Sequence, residues 1–255
     1  MKIIKDIANK EYSLSAIDDS VSFVVPSEEN KTLLIKNLKE ENDITFDILD
    51  NSHVQLSFLA DREIRNLKIT ANLGKNAELE VFFADFSRNT NNCEVVVNLN
   101  EEGARLNWHL ASLADKNDKK NISVSANHKA PNTFAKVENY GVAKDESHLV
   151  FAGTSHILNG AIKSNTLQTA KIMVFDEQSV ATAKPILKID ENDIAASHNA
   201  VVGKISDEHL FYLTSRGISL GEAKMIITLG YLKPIFKGFD EKSVEYINAL
   251  MEERI

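Results

Sequence analysis

A chain of 255 residues, 43% hydrophobic and 26% charged, has the composition of an ordinary globular protein and can bury a full-sized core in one or two domains. Its net charge of −8 excludes broad binding to nucleic acid or to an anionic membrane surface, both of which need a positive face. A single cysteine, Cys93, excludes an internal disulfide framework and a self-sufficient four-cysteine metal or iron–sulfur site.

In chain order, the opening Met-Lys-Ile-Ile-Lys-Asp lacks the apolar core of a secretory leader, and no run of about 18 apolar residues follows anywhere. The expected compartment is therefore the cytoplasm. Residues 1–20, polar and mixed, read as an N-terminal cap or loose segment. From Val21 short runs of alternating apolar and polar residues predict half-buried strands at Val21–Val25, Thr32–Ile35, Ile44–Leu49 and Val54–Leu59. Asn51-Ser52-His53-Val54-Gln55-Leu56, Asn76-Ala77-Glu78-Leu79-Glu80-Val81 and Gly103-Ala104-Arg105-Leu106-Asn107-Trp108 share one form. Each has a turn residue, a small residue and then alternating apolar positions, about 25 residues from one copy to the next, the spacing of a solenoid. Ala60, Ala84 and Ala111 recur at similar offsets, as small residues would at corners.

Further strands are predicted at Glu94–Leu99, Ile122–Ala126, Thr133–Val137, His148–Phe151, Ala161–Ser164, Lys171–Phe175 and Ile186–Ile189, none longer than about seven residues. Ala114–Asn121, rich in Asp and Lys, reads as an exposed loop. A single Asn-Gly, Asn159-Gly160, argues against a meander of tight hairpins and for wider turns. Residues 21–205 thus form an all-β core. After Gly203 the apolar period changes to three and four, and residues 206–255 read as a small C-terminal α-helical subdomain. Asp207 is the expected cap of a first helix carrying Leu210, Phe211 and Leu213. Ser219-x-x-Glu222 is a capping box opening a second helix that stops at Gly230, and Asp240 caps a third. Three helices at one end are expected to cover the open end of the strand stack and to offer a groove to a partner.

No phosphate loop, His-Glu-x-x-His or Gly-x-Ser-x-Gly pattern occurs. The seven histidines are scattered, with His148 and His156 able to meet across adjacent strands. Cys93, beside Glu94, reads as a small buried filler, because a reactive thiol wants a neighbouring cation. His198, in the last extended segment, is either a strand histidine bonded to a carbonyl or a metal or sulfur-site ligand at a subunit junction. Arg216 suits a helix C-terminus or a partner carboxylate, and Tyr212 a core or an interface rim.

Several blocks resemble one family in order and spacing. They are His128-x-Ala130-Pro131-x-Thr133, Tyr140-Gly141-Val142 with Phe151-x-Gly153, Gln168, Pro185-x-Leu187-x-Ile189, Asp193-Ile194 with Ser197-His198-x-Ala200-x-Val202-Gly203, and Leu210-Phe211-Tyr212-Leu213-x-Ser215-Arg216-Gly217-Ile218. Together they resemble the signature of the SufB/SufD scaffolds of iron–sulfur cluster assembly over about residues 125–235, and more weakly before. The resemblance implies a right-handed parallel β-helix with a C-terminal helical part, and a non-catalytic scaffold role. It implies edge-to-edge pairing of the β-helix with a SufB- or SufD-type subunit; independently, an unpaired edge strand would be an association hazard, so a homodimer is expected in isolation. It implies that the ABC-type ATPase SufC binds the helices, with Phe211, Tyr212, Arg216 and Gly217 as candidate contacts. No tightly bound cofactor is expected; a transient cluster at the subunit junction would use His198 as its candidate ligand. Ala196-Ser197-His198-Asn199 stands where many SufD sequences read Cys-Ser-His-Gly, Lys188 replaces a glutamate, and the SufB-type cysteines have no counterpart, so the chain looks like a compact SufD. Two rival readings are a β-helix carbohydrate-active enzyme, which 7% aromatics and dispersed acids disfavour, and a self-associating module without a cluster role.

Overall fold

The structure, a computed structural model, describes residues 2–4, 8–14 and 20–255. Among them sixteen strands follow in order: β1 (Lys2–Ile4), β2 (Lys10–Ser13), β3 (Ser20–Val25), β4 (Asn30–Lys36), β5 (Glu41–Ile48), β6 (His53–Ala60), β7 (Asn66–Leu73), β8 (Glu78–Asp85), β9 (Thr90–Leu99), β10 (Arg105–Ala114), β11 (Lys119–His128), β12 (Phe134–Ala143), β13 (His148–Ile157), β14 (Asn165–Val174), β15 (Val180–Ile189) and β16 (Ala195–Lys204). Odd-numbered strands pair in one eight-stranded sheet and even-numbered strands in a second. Every pairing is parallel, so each coil gives one strand to each sheet and the chain winds as a parallel β-helix. Helices α1 (Asp207–Ser215) and α2 (Leu220–Leu232), a 3₁₀ segment (Lys233–Gly238) and α3 (Glu241–Arg254) follow. Within residues 1–20, β1 and β2 pair with β3 and β4 as the first coil. The remainder of that segment lies outside the described residues.

The internal repeat is in register. His53, Glu78 and Arg105 pair in one ladder, and Val54, Leu79 and Leu106 in the next. The turn residues of the three copies, Asn51, Asn76 and Gly103, all hold positive φ at the same corner, joined there by Asn132. Asparagine tolerates that left-handed conformation better than other side chains, which is why so few glycines suffice. The repeat fades because the coil widens. Cross-coil hydrogen bonds span 23 residues at Asn9–Thr32, 25 at Glu41–Asn66 and 29 at Asn98–Asn127. Strands grow to ten residues, longer than the pattern predicts.

Two readings of the pattern are overturned. Ala161–Ser164 is a corner, not a strand, reached by the Asn159-Gly160 turn, where Gly160 has a φ of +89°. Ala114–Asn121 is no exposed loop: it ends β10, turns a corner and begins β11, and its Asp115, Asp118 and Lys120 are buried. Lys120 Nζ lies 3.0 Å from Asp85 Oδ2, and the Arg254 guanidinium reaches Asp115 and Asp118, the latter at 2.7 Å. Burial by itself would raise the Asp85 and Asp115 carboxyls. Lys120 with the Ser112 and Ser87 hydroxyls outweighs it at Asp85, and Arg254 does so at Asp115, so both titrate below their ordinary range.

The helices do not cap the stack. Leu232, Ile235, Ile247 and Met251 pack on Leu59, Phe82, Ala84, Ala111, Leu113, Val142 and Met173, the outer flank of the even-numbered sheet. Ala84 and Ala111, paired in the ladder, are small because this layer lies on them, not because they turn corners. Cap chemistry sets the helix ends. Ser206, one residue before the expected Asp207, accepts from the His209 amide. The Ser219–Glu222 box and the Asp240 cap form as read, while α2 runs past Gly230 to Leu232.

Inside the coil a file of aromatic rings, Tyr12, Phe23, Phe46, Phe58, Phe83 and Trp108, runs from the first coil to the middle with centroids 5.1 to 6.2 Å apart. Beyond Trp108 polar groups join the apolar interior. Trp108 Nε1 donates to Asn139 Oδ1 at 3.0 Å. His128 Nδ1 lies 2.8 Å from Thr133 Oγ1, which lies 2.7 Å from Ser164 Oγ, so two residues of the family-like His-x-Ala-Pro-x-Thr block meet in the interior. Burial lowers His128 to about 4, and the ring is neutral in the folded chain at pH 7. Between pH 6.5 and 4 the unfolded chain takes up a proton that the folded chain refuses. Stability from this residue is therefore complete above pH 6.5 and falls on acidification, by about 3 kcal/mol across the window. Urea unfolding at pH 7 and pH 4.5 is expected to show a smaller difference for His128→Asn than for the parent chain; equal differences would refute it.

Candidate functional site

The open end of the coil arises from strand order. β15 and β16 are the last members of their sheets, and among the described residues each has one backbone edge unpaired. No further coil of the described residues lies over them, so inward-facing positions that are buried elsewhere are open here. Residues paired in a parallel ladder point to the same side. His198 pairs with the buried Gln168, and Ala196, Ala200 and Val202 pair with the buried Thr166, Ala170 and Ile172. His198 therefore stands on the lumen side of β16, yet every residue of that strand is exposed. Val180, Ile186, Ile189, Val201 and Val202 are exposed apolar side chains on the same two strands. A bare sheet end with an apolar rim is what a protein otherwise avoids.

The floor of this end is polar. Gln168 Nε2 donates to Ser155 Oγ at 2.7 Å and to the Ile186 carbonyl at 3.2 Å, and Thr166 Oγ1 donates to Ser155 Oγ at 2.7 Å. The Gln168 amide thus crosses the lumen from β14 to the opposite sheet. Gly153 makes room for it: a methyl group there would stand 2.7 Å from Gln168 Oε1.

Phe211, Tyr212, Arg216 and Gly217 lie together at a second place, on and after α1. Phe211 is 74% and Tyr212 56% exposed, and α1 has no buried residue. The Arg216 guanidinium stands over the Tyr212 ring at 5.1 Å, so it serves the rim of this surface. Gly217, at φ +89°, turns the chain toward α2. Beside it is a groove of about 640 Å³ lined by Gly217, Ile218, Met225, Ile226, Glu252 and Ile255. Met225 and Ile226 stand on α2 three and four residues after Glu222, which faces the same groove.

Other candidates are dispersed. His148 and His156 occupy opposite ends of one strand, β13, instead of meeting across two, and His156 Nε2 pairs with Asp190 at 2.7 Å. Among the described residues no group of three or more His, Cys, Asp or Glu could hold a metal ion, so His198 belongs to no such group. Cys93 is buried in β9, and burial pushes its thiol well above the ordinary value, as the filler reading requires. No helix among the described residues is long and apolar enough to cross a membrane.

Comparison with known proteins adds an independent line. Residues 30–231 match the family model described as SUF system FeS cluster assembly, SufBD core domain. The iron-sulfur cluster assembly protein SufD of Bacillus subtilis is 25% identical over 230 residues, 90% of this chain and 51% of that protein. Iron-sulfur cluster assembly SufBD family proteins of Staphylococcus saprophyticus and Staphylococcus epidermidis are 29% and 28% identical over 151 residues, 59% of this chain and 32% of each. The chain thus spans about half the length of the first relative and a third of the other two.

Proposed function

This chain belongs to the SufBD family of iron–sulfur cluster assembly proteins, and we propose that it is a SufD-like, non-catalytic scaffold whose open coil end joins a SufB-type subunit, with a second copy of itself as a substitute. The carrying observation is the exposed last coil: unpaired strand edges, an apolar rim and a lumen-side histidine occur at one place. Pairing there would satisfy the β15 and β16 backbones and remove the rim from water. A cluster handled at that junction is cargo, not a resident group. His198 would supply one nitrogen ligand to it and the partner the sulfur ligands, since one imidazole is a poor iron site by itself.

The α1–α2 surface is the proposed seat of a SufC-type ATPase. An exposed Phe–Tyr pair beside an apolar groove has the composition of a binding hot spot. Motion of that motor would act on the junction through the two-residue link from β16 to α1. Phe211→Ala with Tyr212→Ala is expected to weaken SufC co-purification at least tenfold while leaving thermal stability within about 1 kcal/mol, as truncation of exposed side chains does. In a strain lacking its own Suf scaffold, the parent chain is expected to restore cluster-dependent growth and His198→Ala to fail. Equal growth of the two would sink the role of His198, and failure of the chain to retain SufC while SufB retains it would sink the partner assignment.

A further inference from the structure

The ladder column that ends at His198 changes character only at its last two positions. Leu56, Val81, Trp108 and Val137 fill the earlier coils, then Gln168 and His198 follow. A polar pair at the mouth of an apolar column needs its hydrogen bonds accounted for, because an unpaired buried polar atom costs about 1–3 kcal/mol. The Gln168 nitrogen is satisfied twice, by Ser155 Oγ and the Ile186 carbonyl. Bonding to a carbonyl fixes which end of the amide is nitrogen. Gln168 Oε1 is buried and has no partner, and the whole residue is only 5% exposed. The next residue in the ladder, His198, carries a ring N–H and forms no side-chain hydrogen bond. Neighbouring strands of a sheet are about 4.8 Å apart, so the two side chains, projecting to the same side, are within reach of one another.

We propose that Gln168 is the positioning residue of His198. Once a partner covers the coil end, the imidazole loses its water. One ring N–H then turns down to Gln168 Oε1, the vacant acceptor in the adjoining rung, and the other nitrogen keeps its lone pair facing out of the lumen toward the junction. This arrangement gives a ligating histidine a fixed tautomer and orientation, as outer-sphere partners do in metal sites generally. Gly153 is part of the device, since any side chain there would push Oε1 from its place. The proposal rests on the reading of His198 as a cluster ligand, and it assigns the group that aims it.

The test uses the full chain labelled with ¹⁵N-histidine and bound to a SufB-type subunit, with the His198 ring read by long-range ¹H–¹⁵N correlation. The parent chain is expected to hold one neutral tautomer. Gln168→Leu, which removes the acceptor, is expected to give a mixture of two, and Gln168→Glu, which restores an acceptor oxygen, a single one again. Gly153→Ala, which displaces Oε1 without altering Gln168, is expected to reproduce the mixture and covers the case in which Gln168→Leu folds poorly. Ferrous iron retained by the complex should fall about ten- to a hundredfold in Gln168→Leu, the usual loss when the partner of a ligating histidine is removed. A single unchanged tautomer in folded Gln168→Leu or in Gly153→Ala overturns the proposal. That outcome is distinct from unimpaired growth of His198→Ala, which overturns the underlying reading instead.

Discussion

Arg254→Met is expected to cost about 3–5 kcal/mol and to release α3 from the coil, because it takes from buried Asp115 and Asp118 their nearest counter-charge and leaves Asp115 only Arg88, at 3.6 Å. The Arg254 guanidinium is the centre of the buried corner. It donates to Asp115 Oδ1 from Nε at 2.9 Å, to Asp118 Oδ2 at 2.7 Å, and from Nη1 to the Phe86 carbonyl at 2.8 Å. Lys144 Nζ donates to the Arg254 carbonyl at 2.8 Å, and Arg88 pairs with Glu253 at 3.1 Å on the rim. The methionine fills much of the arginine's volume, so the loss reports charge and hydrogen bonding more than a cavity. Urea unfolding should show the cost, and limited proteolysis should cut first near α3. Asp115→Asn and Asp118→Asn added to Arg254→Met are expected to recover most of the loss, since neutral amides tolerate burial better than unpaired carboxylates. A single variant within about 1 kcal/mol of the parent would show that the cluster contributes nothing net.

Trp108→Ala is the second large effect, at about 3–5 kcal/mol. Trp108 is fully buried, meets Phe83 edge-on at 6.0 Å, and is the place where the aromatic file ends and its ring N–H meets the buried Asn139. Removing it opens a cavity between coils that are joined above and below by continuous ladders, so the lining has little freedom to collapse. Trp108→Phe keeps most of the packing but leaves Asn139 Oδ1 unpaired, and should cost about 1–3 kcal/mol. Trp108→Phe with Asn139→Leu removes both polar partners and is expected to regain most of that smaller loss. A chemical-denaturation series over the three variants checks the order. Equal costs for Trp108→Phe and the double variant would refute the part assigned to the hydrogen bond.

The stacked-strand body was legible because parallel coils repeat the same needs at the same offset. Asn51, Asn76 and Gly103 answer one corner, and Val54, Leu79 and Leu106 one inward position. The misread segment Ala114–Asn121 shows the limit of such reading. Asp115, Asp118 and Lys120 look like solvent-facing charges, and their partners, Asp85 and Arg254, are 35 and 139 residues away from Lys120 and Asp115 respectively. No local pattern reveals that a charge so distant will neutralise them. The candidate site divides in the same way. His198 stood out by its motif, and Phe211 and Tyr212 by being aromatic neighbours on one short helix, whereas the vacant oxygen of Gln168 and the room left by Gly153 exist only after two sheets face each other.

The amino-acid order alone determined the winding of the chain, the switch to helices after Gly203 and the family signature, since periodicity, capping and short motifs act between residues close in the chain or one coil apart. Only the tertiary structure decided that the helices lie on a flank instead of closing the stack, that the last coil stays uncovered with His198 on its lumen side, and which charges are buried together. Those outcomes depend on which surfaces meet across 35 to 168 residues, and the free energy of such meetings resides in both partners at once, so neither stretch of sequence discloses it separately.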